Sequence, residues 1–246
     1  MLPSEFPEVQ GRQHLKRLLT EHVDMQFIDL RTMLRLPSVG LAGGCNFAAA
    51  AFLFNVIAGS AVCFYKTSTA AFTAKGDRGM RFKGLLSDFY PWEGEAVGKA
   101  MAIDILYDAA RNPLAHSLGL DAPPPAGHVP REISLAKRAL SEAEIAQLEN
   151  EPTRPAWADA TIVQGKAPSG ADSFQISVPA LYWGVHRTLH ALFADAAHAV
   201  DADAVAKQFG PMWDKYVAVG DVMTVSDAGG VQIKLTSLTR ESETKP

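Results

Sequence analysis

The fold is organised around residues 107–119, Tyr107-Asp-Ala-Ala-Arg-Asn-Pro-Leu-Ala-His-Ser-Leu-Gly119, where a permanent cation, an amide and a histidine stand among apolar helical residues. Asn112-Pro113 predicts a helix start, because Asn is a favoured N-cap and Pro suits the first helical position. We therefore expect Arg111 on the corner between two helices and His116 one turn into the second. Arg111, Asn112 and His116 are the candidate functional residues of this stretch.

A helix and a basic segment precede this stretch. Apolar residues at helical spacing predict a helix from Glu95 to Ala110. The segment from Lys66 to Gly84 is typical of a flexible loop and holds five cations against a single acid. Four of these cations form the candidate nucleic-acid-binding surface: Lys75, Arg78, Arg81 and Lys83. The alternative is a solvated loop whose cations contact nothing specific.

Two further helices are predicted towards the N-terminus. Gln10 to Leu36 has the pattern of a long amphipathic helix that ends before Pro37. Asn46 to Tyr65 predicts a helix buried on all sides, because the run from Leu41 to Tyr65 is uncharged and rich in alanine. That run is long enough to span a bilayer. It stands alone, however, without a basic flank or an aromatic belt, so we expect no membrane segment.

Cysteine content and charge suggest a compartment. Cys45 and Cys63 would lie about 27 Å apart on one helix, too far for a disulfide. We interpret them as buried thiols in a reducing cytoplasm. Residues Met1 to Pro7 lack the basic and apolar regions of a signal peptide. The net charge of −4 at pH 7 gives no overall attraction to nucleic acid, so such a contact would need a local basic patch.

A proline-rich linker, Asp121 to Gly127, is the strongest boundary signal in the chain. We predict a helical bundle over 1–120, a linker over 121–128 and an α+β extension over 129–246 that packs on the bundle. The fold class is therefore mainly α, with a few short strands near the C-terminal end. The elements predicted after the linker are strands Val129–Leu135, Ala160–Gln164 and Phe174–Val178, helices Ser141–Glu149, Pro179–Ala199 and Asp203–Val217, and a hairpin over 222–235.

Arg111-Asn112-x-x-x-His116, at the start of a late helix in a helical N-terminal part, resembles the R-x(4–6)-H motif of the HEPN superfamily. The polar Asn112 after the arginine also fits that family. The resemblance covers roughly residues 8–120 and leaves the strands after Pro125 unexplained. It implies a homodimer of helical bundles in which the two motifs meet across the interface.

In active members of that family, the resemblance implies metal-independent cleavage of RNA without a cofactor. His116 would exchange a proton with the ribose 2′-OH or the leaving 5′-oxygen, and Arg111 would stabilise charge on the scissile phosphate. Asn112 would orient them, and the second histidine of a dimer would complete the acid–base pair. The resemblance suggests a cytoplasmic ribonuclease of stress or phage defence, with a cognate regulatory protein as a further partner.

The alternative is a non-catalytic helical module that binds a protein or a nucleotide. In that interpretation Arg111 pairs with Asp108 or another acid, Asn112 caps the helix and His116 fills a niche. A structure with His116 buried and facing no cleft would favour it. Both interpretations stay open at the level of the sequence.

His186, His190 and His198 share one face of the predicted Pro179–Ala199 helix. His-x-x-x-His is a metal-ligand spacing, but no glutamate follows His186 and no further ligand is evident nearby. We interpret them as half-exposed histidines and predict no metal site. The sequence also lacks a P-loop, a G-x-G-x-x-G motif, a G-x-S-x-G motif and a Cys/His zinc spacing.

Overall fold

A computed structural model of the chain describes residues 23–37, 45–65, 78–116, 131–194, 223–225 and 231–233. This part is mainly helical, with a few short strands, as predicted, and three of the strands form a small sheet. The helices are α1 (Met25–Arg35), α2 (Asn46–Cys63), α3 (Arg78–Phe89), α4 (Lys99–Asp104), a π-helical segment (Ile105–Arg111), α5 (Asn112–His116), α6 (Glu142–Asn150) and α7 (Val178–Ala194). The predicted helix over 203–217 lies outside the described residues.

Helix α1 buries Phe27, Leu30 and Leu34 on one face. It ends at Arg35 and is followed by Leu36, whose extended backbone is the conformation that a following proline favours. The predicted end of the first helix is therefore confirmed. The predicted start, together with the rest of 10–22, lies outside the described residues.

Helix α2 packs most of its apolar surface into the core but is not buried on all sides. Phe47 is half-exposed and Asn55 is exposed, so one stripe of the helix faces outwards. The thiol of Cys45, just before the helix, is also exposed, which corrects the prediction of a buried thiol. In the described part of the chain no helix, α2 included, combines the length and apolarity that crossing a membrane requires.

Helix α3 begins at Arg78, so the predicted loop does not continue to Gly84. Phe82, Leu85 and Leu86 are buried at helical spacing, and this burial outweighs the helix-weakening effect of glycine. The missing side chain of Gly84 makes room for the ring of Tyr65, whose atoms lie 3.0 Å from where a Cβ would stand. The glycine here serves close packing. Residues 66–77 lie outside the described part.

The predicted break at Asn112-Pro113 is absent, and one continuous helical path runs from Lys99 to His116. Asn112 has helical backbone angles (φ −66°, ψ −48°) and is not an N-cap. Its N–H donates to the carbonyl of Tyr107, five residues back, which is the π-helical pattern. A proline inside an α-helix clashes with the carbonyl four residues before it. The wider π turn ahead of Pro113 relieves that clash, so this proline can stand inside the helical path and does not mark the start of a new helix.

The sheet has the strand order β1-β3-β2, with β1 (Arg131–Ala136), β2 (Ile162–Lys166) and β3 (Asp172–Ser177). Central β3 runs parallel to β1 and antiparallel to β2. The three predicted strands are confirmed within a few residues. So is the predicted hairpin, formed by β4 (Met223–Val225) and β5 (Val231–Ile233).

The capping box predicted for α6 is also confirmed. The Ser141 hydroxyl accepts from the Glu144 N–H, and the Glu144 carboxylate accepts from the Ser141 N–H at 2.8 Å. The hydrogen bonds to Arg138 and Ser141 lower the pKa of Glu144 to about 2. This carboxylate therefore keeps its charge across the physiological pH range.

Residues on both sides of the predicted linker share one hydrophobic core. Buried side chains of α1, α2 and α3 pack in the same cluster as those of β3, α6 and α7. The N–H of Leu140 also donates to the carbonyl of Leu34 at 3.0 Å. The linker itself, 121–128, lies outside the described residues, so the domain division stays a prediction.

Candidate functional site

Arg111 is the last residue of the π-helical segment and is half-buried. Its Nη1 donates to Oδ1 of Asn112 at 2.9 Å, and its Cζ lies 5.8 Å from the centre of the Tyr107 ring. The structure therefore brings two of the three predicted catalytic residues into contact. It also adds an aromatic neighbour that the sequence analysis did not single out.

The acid nearest to Arg111 along the chain is engaged elsewhere. Asp108 accepts from the ammonium of Lys83 at 2.7 Å, and Asp104 accepts from the same ammonium at 2.9 Å. Partial burial lowers the pKa of Lys83, but the hydrogen bonds to the two carboxylates outweigh it and raise that pKa above its ordinary value. The described contacts thus join Asp108 to Lys83, and those of Arg111 are with an amide and a ring.

His116 is the last residue of α5, four positions after Asn112. One helical turn separates residues that are four apart, so the backbones of Asn112 and His116 lie on one face of the helix. The side chain of His116 lies outside the described part of the chain. Its predicted role therefore stays a prediction.

The predicted basic surface is distributed differently from the sequence expectation. Arg81 is buried in the core, and its Nη1 donates to the carbonyl of Tyr65 at 3.2 Å. Lys83 forms ion pairs with the two aspartates described above. Arg78 is exposed at the start of α3. Lys75 lies outside the described residues. Of the three described cations, Arg78 is the one with an exposed side chain.

A buried polar cluster around Glu149, at the end of α6, was missed by the sequence analysis. Arg31 of α1 donates to both of its carboxylate oxygens, at 2.6 and 2.5 Å, and the hydroxyl of Tyr182 donates to Oε1 at 2.5 Å. Arg187 donates to the backbone carbonyl of Glu149. An acid at the end of an amphipathic helix gives no hint that it is buried.

His186 adjoins this cluster and is buried, which corrects the expectation of half-exposed histidines. Its ring contacts Phe27 edge-on at 5.4 Å and lies 4.8 Å from the ring of His190. Burial, followed by the positive charges of His190, Arg187 and Arg31, lowers the pKa of His186 to about 2. His190 is half-buried, and His198 lies outside the described residues.

No group of three or more metal-ligating side chains occurs among the residues that the structure describes. Arg187 donates to Nδ1 of His186 at 2.9 Å, since arginine has no acceptor atom. That nitrogen is therefore already occupied. His186 is part of the packing between α1 and α7, through its contact with Phe27.

A second buried network joins the two halves of the chain around Glu95. Its carboxylate accepts from the N–H and the hydroxyl of Thr161, both at 2.8 Å, and pairs with Arg154. The hydroxyls of Tyr90 and Thr161 are 2.6 Å apart. Both carboxylate oxygens of Glu95 and the hydroxyls of Tyr90 and Thr161 have protein partners, which is the pattern of a structural network.

Comparison with known proteins gives no relative for this chain. No protein-family model matches it, and neither a curated protein nor a solved structure is significantly similar to it.

Proposed function

We propose that this protein is a metal-independent endoribonuclease of stress or phage defence that acts as a homodimer with a composite site of Arg111, Asn112 and His116. The proposal rests on the resemblance of these residues to the HEPN motif. The observation that supports it best is the set of groups that contact Arg111. Its described contacts are with Asn112 and Tyr107, whereas the nearby carboxylate of Asp108 pairs with Lys83.

A guanidinium that no described acid neutralises is suited to an anionic ligand. It offers a fork of donors that matches two phosphate oxygens. In the proposed reaction the ribose 2′-oxygen attacks the phosphorus, the bond to the 5′-oxygen breaks, and charge builds on the non-bridging oxygens. Arg111 would stabilise that charge. Asn112 would hold the guanidinium in place through the 2.9 Å hydrogen bond.

His116 of one protomer would take the 2′-OH proton, and His116 of the second would protonate the leaving 5′-oxygen. An imidazole is suited to both steps because its ordinary pKa is near neutrality. The position of residue 116 one turn after Asn112 supports a shared face for these groups. With Arg81 buried and Lys83 paired, Lys75 and Arg78 are the residues that we propose to guide the RNA.

The test is cleavage of a mixed single-stranded RNA in the presence of EDTA by the wild type and three variants. His116→Ala and Arg111→Gln are expected to lose cleavage at least a hundredfold. Arg138→Gln is the matched control, because Arg138 also stands over an aromatic ring, at 4.8 Å from the centre of Trp157, and is half-exposed. It is expected to cleave as the wild type does.

Equal cleavage by wild type and His116→Ala, with both proteins folded, would refute the proposal. A wild type that binds a protein or nucleotide but leaves RNA intact would favour the non-catalytic binding module instead. That alternative gains support from the engagement of Arg81 and Lys83, which removes two cations from the predicted RNA surface.

A further inference from the structure

Tyr107 contacts both Arg111 and the residues that surround it. Its ring lies 5.8 Å from the guanidinium carbon of Arg111 and 5.3 Å from the ammonium of Lys83. The ring of Tyr107 also packs against the buried ring of Phe82, at 5.1 Å between centres. Cations within about 6 Å of an aromatic face are attracted to its negative quadrupole. The ring is therefore anchored in the core and holds both cations.

Tyr107 and Arg111 are four residues apart within the π-helical segment, a spacing that places them on one side of the helix. The bond from the N–H of Asn112 to the carbonyl of Tyr107 closes a turn one residue wider than an α-turn. In such a turn residues four and five apart become neighbours. Asp108, three residues before Arg111, would be its i,i+3 partner in a regular α-helix. Here it faces Lys83 instead.

Gly79 of α3 provides the space for the Tyr107 hydroxyl. A Cβ at residue 79 would stand 2.6 Å from the hydroxyl oxygen and 3.0 Å from the adjacent ring carbon. Contacts this short do not occur for a carbon atom, so a side chain at residue 79 would displace Tyr107 from its observed position. The sequence of contacts runs from Gly79 through Tyr107 to Arg111 and Asn112.

We propose that Tyr107 is a positioning residue that keeps the guanidinium of Arg111 oriented for a phosphodiester. The part of this inference that concerns catalysis rests on the proposed ribonuclease function. The orientation of Arg111 by the ring does not. Tyr107 makes no covalent or acid–base contribution and acts through Arg111. Its ring, not its hydroxyl, does so, so phenylalanine at this position preserves the effect.

The kinetic test compares Tyr107→Leu, Tyr107→Phe and Trp157→Leu in RNA cleavage. Trp157 is the matched control, since it is also a half-buried ring beneath an arginine. We expect kcat to fall about fivefold in Tyr107→Leu, with KM within twofold of the wild type, because a mobile guanidinium loses transition-state stabilisation. Tyr107→Phe restores kcat, and Trp157→Leu leaves it unchanged. A loss in Tyr107→Phe equal to that in Tyr107→Leu overturns the proposal.

A second measurement does not depend on activity. The Nε–H resonance of Arg111, assigned with Arg111→Lys, is shifted by the ring current of Tyr107. We expect it to move to the value of a solvent-exposed arginine in Tyr107→Leu and to stay in place in Tyr107→Phe and Trp157→Leu. An unmoved resonance in Tyr107→Leu overturns the positioning role. A wild type that does not cleave RNA while the resonance moves overturns only the ribonuclease proposal.

Gly79→Ala tests the same path should Tyr107→Leu fail to fold. Its Cβ displaces Tyr107, so the Arg111 resonance is expected to shift. The double variant Gly79→Ala/Tyr107→Phe lacks the hydroxyl oxygen that makes the 2.6 Å contact, so most of the shift is expected to disappear. A resonance that stays in place in Gly79→Ala, with the protein folded, contradicts the proposed path.

Discussion

We expect His186 to make the stability of the protein depend on pH between 5 and 7.5. The side chain is 4 % exposed and packs among Phe27, Tyr182 and His190, with the charges of Arg187 and Arg31 nearby. Burial and these positive charges lower its pKa from 6.5 to about 2. The folded protein therefore keeps this imidazole neutral under conditions in which the unfolded chain protonates it.

The sign and size of this pH dependence of the free energy of unfolding follow from proton linkage. Below pH 6.5 the unfolded state binds a proton at residue 186 that the folded state does not bind, so the free energy of unfolding falls as the pH falls. The slope approaches about 1.4 kcal/mol per pH unit well below pH 6.5, and the loss between pH 7.5 and pH 5 is about 2 kcal/mol in total. Any native pKa well below 5 gives the same loss.

The variant His186→Asn isolates this contribution. The amide oxygen of asparagine replaces Nδ1 as an acceptor for the Nη2 of Arg187, so the 2.9 Å hydrogen bond has a substitute. The smaller side chain lowers stability at every pH, but it does not titrate. We therefore expect the stability difference between wild type and variant to shrink by about 2 kcal/mol from pH 7.5 to pH 5.

The assay is urea unfolding at pH 7.5, 6.5, 5.5 and 5.0, followed by circular dichroism. Val185→Ala is the matched control, because it opens a cavity on the same helix and adds or removes no titrating group. Its difference from the wild type should stay constant over this pH range. Parallel curves for the wild type and His186→Asn would refute the linkage argument.

Four further substitutions have expected outcomes in the same unfolding assay. Gly59→Ala, in open space within α2, should stabilise the protein by about 0.5–1 kcal/mol, whereas Gly184→Ala should destabilise it by about 1–3 kcal/mol, since its Cβ would stand 2.2 Å from the ring of Tyr90. Glu149→Gln should cost about 2 kcal/mol, because the half-buried Arg31 and the buried Tyr182 lose a charged acceptor. Ser141→Ala should cost about 1 kcal/mol through loss of the capping box.

Each of these outcomes has a control or a contradicting result. Glu142→Gln removes an exposed carboxylate that also pairs with an arginine of α1, and it should change stability by less than about 0.5 kcal/mol. If Glu149→Gln costs no more than that, the buried cluster does not stabilise the fold. Equal effects of alanine at residues 59 and 184 would contradict the packing around Gly184. An unchanged midpoint in Ser141→Ala would contradict the cap.

Local signals predicted local structure well. The spacing of Ser141 and Glu144 is sufficient to predict the capping box, because both partners lie within one helical turn. Leu36-Pro37 likewise predicts the end of α1. These features depend on neighbours a few residues away, which the sequence displays directly.

Features that depend on distant partners could not be predicted in this way. Arg31 and Glu149 are 118 residues apart, and neither residue carries a sign of its partner. From the sequence alone, Lys83 and Arg81 resemble solvated cations. Their partners are distant in the sequence and lie beside them only in the folded chain. Pro113 was misinterpreted because a proline fits both a helix start and a π turn, and packing decides between them.

The placement of charge changes what an RNA site in this protein would require. The net charge is −4, and of the cations in the predicted basic segment, Arg81 is committed to the core and Lys83 to two aspartates. The net charge of the protein therefore provides no overall attraction to a polyanion such as RNA. Recognition at Arg111 would then depend on a well-oriented guanidinium rather than on many phosphate contacts. Because orientation is what Tyr107 provides, a ribonuclease built this way would be more sensitive to the aromatic ring beneath Arg111 than to the neutralisation of surface lysines.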